Sequence, residues 1–393
     1  MYLAASSILP TLKIAFDAKR YFNNTTGLGF YSRTLLEGLR RFYPEHQYLL
    51  YTPYNKGRLS LSNDGIRLPD SRLGRTFHPL WRSRGITRQL KRDGVEIFHG
   101  LSHELPSGLH HADIRSVVSV HDLIFMRFPN LYPAVDRFFY KQKYRRAAEQ
   151  ADVVVAISEQ TRADLVEYFN IPAQNIQVIG QSCDLVFERL SLRHLPGRLE
   201  FPFAKTAGLP DSDYLISVGS LTPRKNWHTL LDALFLLKNQ GVHVPLVAIG
   251  SGNSPYAKAL QVQSKRLGVQ VYWLDQYVPT QDLALLYRRA IALIYPSIFE
   301  GFGIPILEAM TVGIPVVTSK GGCFKEVGGS AALYADPNNA ADLAHKISKV
   351  LDGEVHAELR SKIPNQIAQF SPERICAEWI EVYSGLMTFS HLT

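Results

Sequence analysis

At 393 residues, with 46% hydrophobic and 20% charged side chains, the chain is too long for one ordinary core and too apolar to be disordered, so two folded domains are expected. No apolar run approaches the roughly 18 residues that span a bilayer, and the three widely spaced cysteines, Cys183, Cys323 and Cys376, offer no metal-ligand spacing and read as free buried thiols. The net charge of +8 lies in the first half: residues 1–200 hold 27 Lys and Arg against 19 Asp and Glu, while residues 201–393 hold 16 of each.

Residues 1–10 lack the basic start and long apolar core of a secretion signal, so they read as a loose leader and the protein is expected to stay in the cytoplasm. Residues 12–17 read as a first parallel strand. The polar loop 23–29, with Gly27 and Gly29, then leads into a helix over 30–42 that carries Leu35, Leu36 and Leu39. A short Gly-x-Gly turn of this kind more often only closes a βα unit. After a strand at 48–51, residues 71–92 carry seven basic and no acidic residues around Phe77 and Trp81, and residues 137–146 carry five basic and no acidic ones. A solvated basic face explains each, a membrane surface or lipid phosphate comes next, and nucleic acid is disfavoured because neither zinc-finger spacing nor an RNP-type aromatic strand is present.

The β-rich runs 95–100 and 116–124 each carry a histidine, His99 and His121, expected at the carboxyl ends of parallel strands and facing a crevice. His103 lies between them. A strand at 152–158 precedes a helix over 159–169, for which Ser158 is a natural N-cap, and residues 176–180 close the first domain. The proline-bearing segment 187–211 reads as a linker. The second domain opens with a strand at 214–219 ending in Gly219, then the basic turn Arg224-Lys225-Asn226 and a helix over 227–239. An Arg fork beside a Lys point charge suits a diphosphate. Strands follow at 245–250 and 270–274, the latter leading to a turn that contains Val278, with a helix over 282–289 behind it. Helices at 339–351, 355–369 and 371–383 end the chain. The domains are thus set at 1–190, 191–370 and a closing helix from 371.

The densest stretch follows the buried strand 290–295: Glu300-Gly301-Phe302-Gly303-Ile304-Pro305, with Glu308 one turn inside the next helix. Two glycines let backbone amides approach an anion, Pro305 suits the first turn of a helix, and two carboxylates flank the loop. By itself this is also an ordinary βα connection with a capping carboxylate. Taken whole, the Glu-x7-Glu pattern with its Gly-Phe-Gly core resembles the nucleotide-sugar motif of retaining glycosyltransferases of family 4, and the order of the other motifs along nearly the whole chain agrees.

That resemblance implies a GT-B fold, α/β with two Rossmann-like doubly wound domains facing each other across a cleft, the closing helix crossing back to the first domain. It implies transfer of a hexose from a nucleoside diphosphate sugar to a saccharide acceptor, with no cofactor and no metal. His121, Glu300, Arg224 and Lys225 would be catalytic. Gly27, Gly29, Gly219, Val278, Gly301, Phe302, Gly303, Ile304 and Glu308 would join Arg224, Lys225 and Glu300 in holding the donor. Mannose from GDP-mannose is the expected donor, by likeness to bacterial mannosyltransferases of surface polysaccharide assembly. A lipid-linked acceptor at an anionic membrane face would account for the basic first half. The same architecture also serves a nucleotide-sugar 2-epimerase and a catalytically silent nucleotide-sugar-binding protein.

Overall fold

Short Val-, Ile- and Leu-rich runs buried on both faces are the signature of parallel strands covered by helices, and the computed structural model contains thirteen among its described residues. It describes residues 11–55, 65–195, 203–204, 207–210, 212–252 and 254–388. The chain divides into two compact units, Met1–Ser182 with Pro372–Thr393, and Cys183–Ser371. The leader at residues 1–10 lies outside the described residues.

In the first unit β1 (Lys13–Asp17), β2 (Gln47–Tyr51), β3 (Ile66–Arg67), β4 (Ile97–Gly100), β5 (Arg115–Val120), β6 (Val153–Ala156) and β7 (Ile176–Val178) form a sheet of order 3-2-1-4-5-6-7. In the second, β8 (Tyr214–Val218), β9 (Leu246–Ile249), β10 (Val271–Leu274), β11 (Ala290–Tyr295), β12 (Val316–Ser319) and β13 (Ala332–Ala335) are ordered 10-9-8-11-12-13. All the described pairings are parallel. Both units are therefore doubly wound. Strand order reverses between β1 and β4 and between β8 and β11, and the crevice at such a switch point, outside the carboxyl ends of the strands, is where an open α/β sheet binds ligand. The loops that leave β1, β8 and β11 carry Gly27, Arg224 and Glu300.

Several boundaries differ from the sequence reading, each for a local reason. The first long helix runs Gly27–Phe42, three residues earlier than expected, and a short helix Lys19–Asn23 lies between the first strand and the polar loop, ending at its first residue. Residues 71–92 form successive short helices with one wider π turn at Trp81–Gly85. The presumed linker begins inside the second unit. Helix Leu185–Arg189 buries Phe187 against Tyr287, with ring centroids 6.0 Å apart, and Arg288 Nη1 donates to the carbonyls of Leu190 and Ser191 at 3.1 and 3.0 Å. The unit boundary consequently falls after Ser182 rather than at residue 190. The remainder of that segment at 196–202, 205–206 and 211 lies outside the described residues.

The closing helix Pro372–Thr388 packs on helix Gly27–Phe42 and sends Trp379 and Tyr383 into the first core. There they meet His99, which is a core residue and not the crevice-facing side chain that its place at a strand end suggests. Its Nδ1 bonds Tyr383 OH and its Nε2 bonds Ser119 Oγ, both at 2.8 Å, and its ring lies 4.5 Å from that of Trp379. Burial pushes its pKa down to about 3, so it is neutral. Ser119 Oγ continues the chain to Tyr31 OH at 2.8 Å. Because removing one partner strands the other in a dry core, Tyr383→Phe is expected to cost about 1–3 kcal/mol, read as a lower urea midpoint at unchanged slope. An unchanged midpoint would show that the hydroxyl contributes nothing.

Candidate active site

In the second unit the basic turn after β8 is pinned to the exit of β11 by Asn226. That residue adopts a left-handed conformation (φ 61°), held by Nδ2 donating to the carbonyls of Pro296 at 3.1 Å and Pro337 at 2.6 Å, while its Oδ1 accepts from Thr229 at 2.8 Å. Ile298 N–H donates to the Arg224 carbonyl at 2.8 Å. The turn is thereby locked with both cations aimed at Glu300.

A single oxygen of Glu300 collects them. Oε1 lies 2.6 Å from Lys225 Nζ, 2.7 Å from Arg224 Nη1 and 2.6 Å from Ser297 Oγ. Lys225 Nζ also donates to Tyr295 OH at 2.7 Å, and Arg224 to the Phe299 carbonyl. Burial would raise the Glu300 pKa, but the charges of Lys225 and Arg224 and the hydrogen bonds from Lys225 and Ser297 prevail and hold it at about 2. Burial, aided by Arg224, lowers Lys225 below the ordinary lysine value against the pull of Glu300. Gly219 makes room for this arrangement: it sits at φ 153°, and a Cβ there would stand 3.2 Å from Lys225 Cδ and Cε. Oε2 of Glu300 accepts nothing among the described residues.

Beyond Glu300 the chain enters helix Ile304–Val312 through Gly303 at φ 108°, with Pro305 in the first turn and no side-chain cap. The N–H groups of Phe302, Gly303 and Ile304 donate to nothing among the described residues, so a helix start with its positive dipole end is left open to an anion. The Phe302 ring is turned into the core against Phe370, at 5.5 Å, so only its backbone is available to a ligand. One turn on, Glu308 Oε2 accepts from Tyr287 OH at 3.1 Å, and burial raises the Glu308 pKa to about 7, with Asp184 adding to the rise and Tyr287 opposing it. Val278 sits half-buried just past β10, at the same sheet edge as Glu300 but three strands from β11. Ser297, Tyr295 and Tyr287 hold the charged groups in place, and the sequence reading assigned them no role.

In the first unit Gly27 and Gly29 open helix Gly27–Phe42. Gly29 is required by close approach, since a Cβ would stand 2.0 Å from the Asn24 carbonyl oxygen, while nothing lies within 4 Å of a Cβ at Gly27. Asn24 Oδ1 closes the turn, accepting from the N–H groups of Thr26 at 2.8 Å and Gly29 at 3.2 Å. His121 follows β5 and is buried. Its Nε2 lies 2.8 Å from the Leu101 carbonyl, which can only accept, so the neutral ring carries its proton on Nε2 and presents a lone pair at Nδ1. Burial pulls its pKa down to about 4, with Leu101 opposing and Arg20 assisting. The Tyr31 ring stands edge-on at 4.5 Å. His103, held at φ 64° and stacked on Tyr144 at 4.2 Å, accepts the His121 N–H at 3.4 Å. The structure thus brings His121 and His103 together, while the ring nitrogens of His99 are taken by Tyr383 and Ser119.

Comparison with known proteins agrees with this architecture and adds the family. The model described as Glycosyltransferase Family 4 matches residues 25–186, and that described as Glycosyl transferases group 1 matches residues 202–370. O-antigen chain mannosyltransferase B of Escherichia coli is 30% identical over 393 residues, covering 95% of this chain and all (100%) of that protein. O-antigen chain mannosyltransferase RfbU of Salmonella typhimurium is 26% identical over 64% of this chain and 65% of its own length. Among solved structures, Anabaena Alr3699/HepE in complex with UDP-glucose superposes with a TM-score of 0.72 at 19% identity, over 95% of this chain and 100% of that one, a likeness of fold. With both halves matched in order and a relative aligned over its full length, the chain belongs to glycosyltransferase family 4, and it is a transferase enzyme with the two Rossmann-like domains of the GT-B fold.

Proposed function

We propose that this enzyme moves mannose from GDP-mannose to a lipid-linked saccharide in O-antigen or lipopolysaccharide synthesis, with retention at the anomeric carbon and without a metal ion. The observation that carries the reading is the Glu300 cluster: one carboxylate oxygen saturated by Lys225, Arg224 and Ser297, the other open, beside three unfilled amides. The names of the similar proteins support mannose and O-antigen.

In the reaction the bond between the sugar C1 and the diphosphate oxygen breaks, and the acceptor hydroxyl oxygen bonds C1 on the same face. The hydroxyl proton leaves with the departing diphosphate. Negative charge grows on that diphosphate as it leaves. Arg224, Lys225, the amides of residues 302–304 and the helix dipole supply preorganised positive charge for it, which is the task a divalent ion performs elsewhere. Glu300 Oε2 takes a sugar hydroxyl, and Glu308 reads the ribose. A basic first half suits an acceptor presented at an anionic membrane face, and among the described residues no helix is long and apolar enough to cross a membrane.

A screen of UDP- and GDP-sugars in EDTA, with and without a lipid extract, tests the reading. Release of GDP that requires GDP-mannose and the extract is expected, and Glu300→Ala should lower kcat by about 100-fold or more. Epimerised sugar released without acceptor would instead identify a 2-epimerase, and tight binding with no chemistry a silent binding protein.

Glu308 adds a pH dependence. Because its ionised form is the better acceptor for ribose hydroxyls, donor affinity should rise as pH passes upward through about 7, and Glu308→Gln should flatten that profile. Stability without ligand moves the other way. The folded carboxyl keeps its proton to about 7 against an ordinary value of 4.5, so its stabilising contribution is complete below 4.5 and is lost as pH rises through 7. Thermal melts of the wild type and Glu308→Gln across that window should therefore converge at the acid end and separate at the alkaline end. Donor binding indifferent to pH would remove Glu308 from the ribose site.

A further inference from the structure

Three contacts hold His103 in a conformation that its residue type resists. Its backbone sits in the left-handed region at φ 64°, which is uncommon outside glycine and is kept only where the surroundings insist on it. Its N–H donates to the Ser119 carbonyl at 2.9 Å, its Nδ1 accepts the His121 N–H at 3.4 Å, and its ring lies flat on Tyr144, with centroids 4.2 Å apart and planes 7° from parallel. Tyr144 is backed in turn by Phe125 at 5.5 Å and Tyr140 at 5.8 Å. The imidazole is therefore fixed both in place and in rotation.

Those contacts also fix where its proton lies. An imidazole that accepts at Nδ1 carries its proton on Nε2 when neutral, and burial, assisted by His121 and Arg20, pulls the His103 pKa well below its ordinary value. The Nε2–H donates to nothing among the described residues, although only 5% of the residue is exposed. Nor is it sealed in. The buried side-chain atoms without a partner include Nε2 of His46 but neither Nε2 of His103 nor Nδ1 of His121, so these two nitrogens keep an opening to solvent. The two rings stand 5.2 Å apart, His103 just past β4 and His121 directly after β5, at the edge where strand order reverses. Side by side they offer one fixed donor and one lone pair.

A polar atom left unpaired on a side chain this buried calls for a partner. A sugar hydroxyl accepts a proton and also gives one, so it suits both nitrogens, whereas a nucleotide diphosphate has no proton to give at neutral pH and would meet the Nδ1 lone pair unrelieved. We infer that His103 is a specificity-determining residue whose Nε2–H donates to a hydroxyl oxygen of a saccharide substrate. That sugar belongs to the donor or to the acceptor. The inference rests on the reading of a sugar transferase and adds to it a group that recognises the sugar.

Two substitutions separate this role from a structural one. His103→Asn keeps an acceptor close to the Nδ1 position and tolerates positive φ, but has nothing where Nε2 stood. His103→Gln restores an N–H near Nε2 and gives up the inner anchor. The Asn variant should melt like the wild type and lose sugar recognition, while the Gln variant should melt lower and keep more of it. Calorimetry with GDP and with GDP-mannose reads the donor sugar: in His103→Asn affinity for GDP-mannose should fall roughly tenfold while that for GDP holds. Transfer from GDP-mannose to a lipid extract reads the acceptor sugar, through a roughly tenfold rise in the half-saturating extract at unchanged kcat. A loss confined to one arm supports the inference and names the sugar. Wild-type behaviour of His103→Asn in both arms overturns it, as does an equal loss of GDP and GDP-mannose, which would mark a phosphate contact. Asn and Gln variants that fall together in melting and in recognition also overturn it, because His103 would then only hold the loop. A wild type that transfers normally and is matched by His103→Asn sinks this inference alone. A wild type that transfers to nothing, yet loses its preference for GDP-mannose over GDP in His103→Asn, sinks the transferase reading alone.

Discussion

Oxygen Oε1 of Glu300 gathers the turn after β8, the exit of β11 and the approach to helix Ile304–Val312 onto one point. Two cations and a hydroxyl converge on it at 2.6 to 2.7 Å, in a setting dry enough that removing the carboxylate would leave two buried cations uncompensated. The surrounding backbone is bent to serve that convergence. Asn226 tolerates a left-handed conformation, Gly219 leaves space along the Lys225 stem, and Gly303 turns sharply into a helix that has no side-chain cap. Before donor arrives, Glu300 keeps Arg224 and Lys225 ordered and partly neutralised. An entering diphosphate competes for charges that are already in position.

The two glutamates of the motif show how environment separates identical groups. Glu300, between Lys225 and Arg224, is held near pKa 2 and is a permanent anion. Glu308, inside the following helix and hydrogen-bonded by a tyrosine hydroxyl, is pushed by burial to about 7, with Asp184 adding to the rise, and stands at the edge of ionisation. The first acts as a fixed charge. The second can donate or accept, which suits a group that reads hydroxyls.

Much of this was legible in the chain, because parallel strands buried on both faces announce themselves as apolar runs and the switch-point loops carry glycines and charges in close succession. Ser158 and the helix Glu159–Phe169, the strand Ala290–Tyr295 and the helix Trp227–Asn239 follow their local signals closely. What stayed hidden depends on partners distant in sequence. Nothing near His99 reveals that Tyr383, 284 residues later, will occupy its Nδ1. Phe187 looked like part of a linker because the core that receives it is built from residues beyond 280. The edge strand Ile66–Arg67 is only two residues long, too short to carry a period, and helix Ala134–Gln150 lacks the apolar stripe that normally marks a buried face. Sequence likewise does not show that the hydroxyls of Tyr295 and Tyr287 meet Lys225 and Glu308.

The return of the closing helix to the first unit has a consequence for biosynthesis. Trp379 and Tyr383 complete a core whose other walls were made before residue 183, and all of Cys183–Ser371 is synthesised in between. At ordinary translation speeds that interval lasts roughly 10 to 40 seconds. During it the first unit emerges with His99 lacking its tyrosine partner and with an apolar surface on helix Gly27–Phe42 uncovered. The second unit has every strand of its sheet in one continuous segment and can fold as it appears. The first domain to leave the ribosome is therefore the last to be finished, and its interim surface is one that a nascent-chain chaperone would be expected to cover.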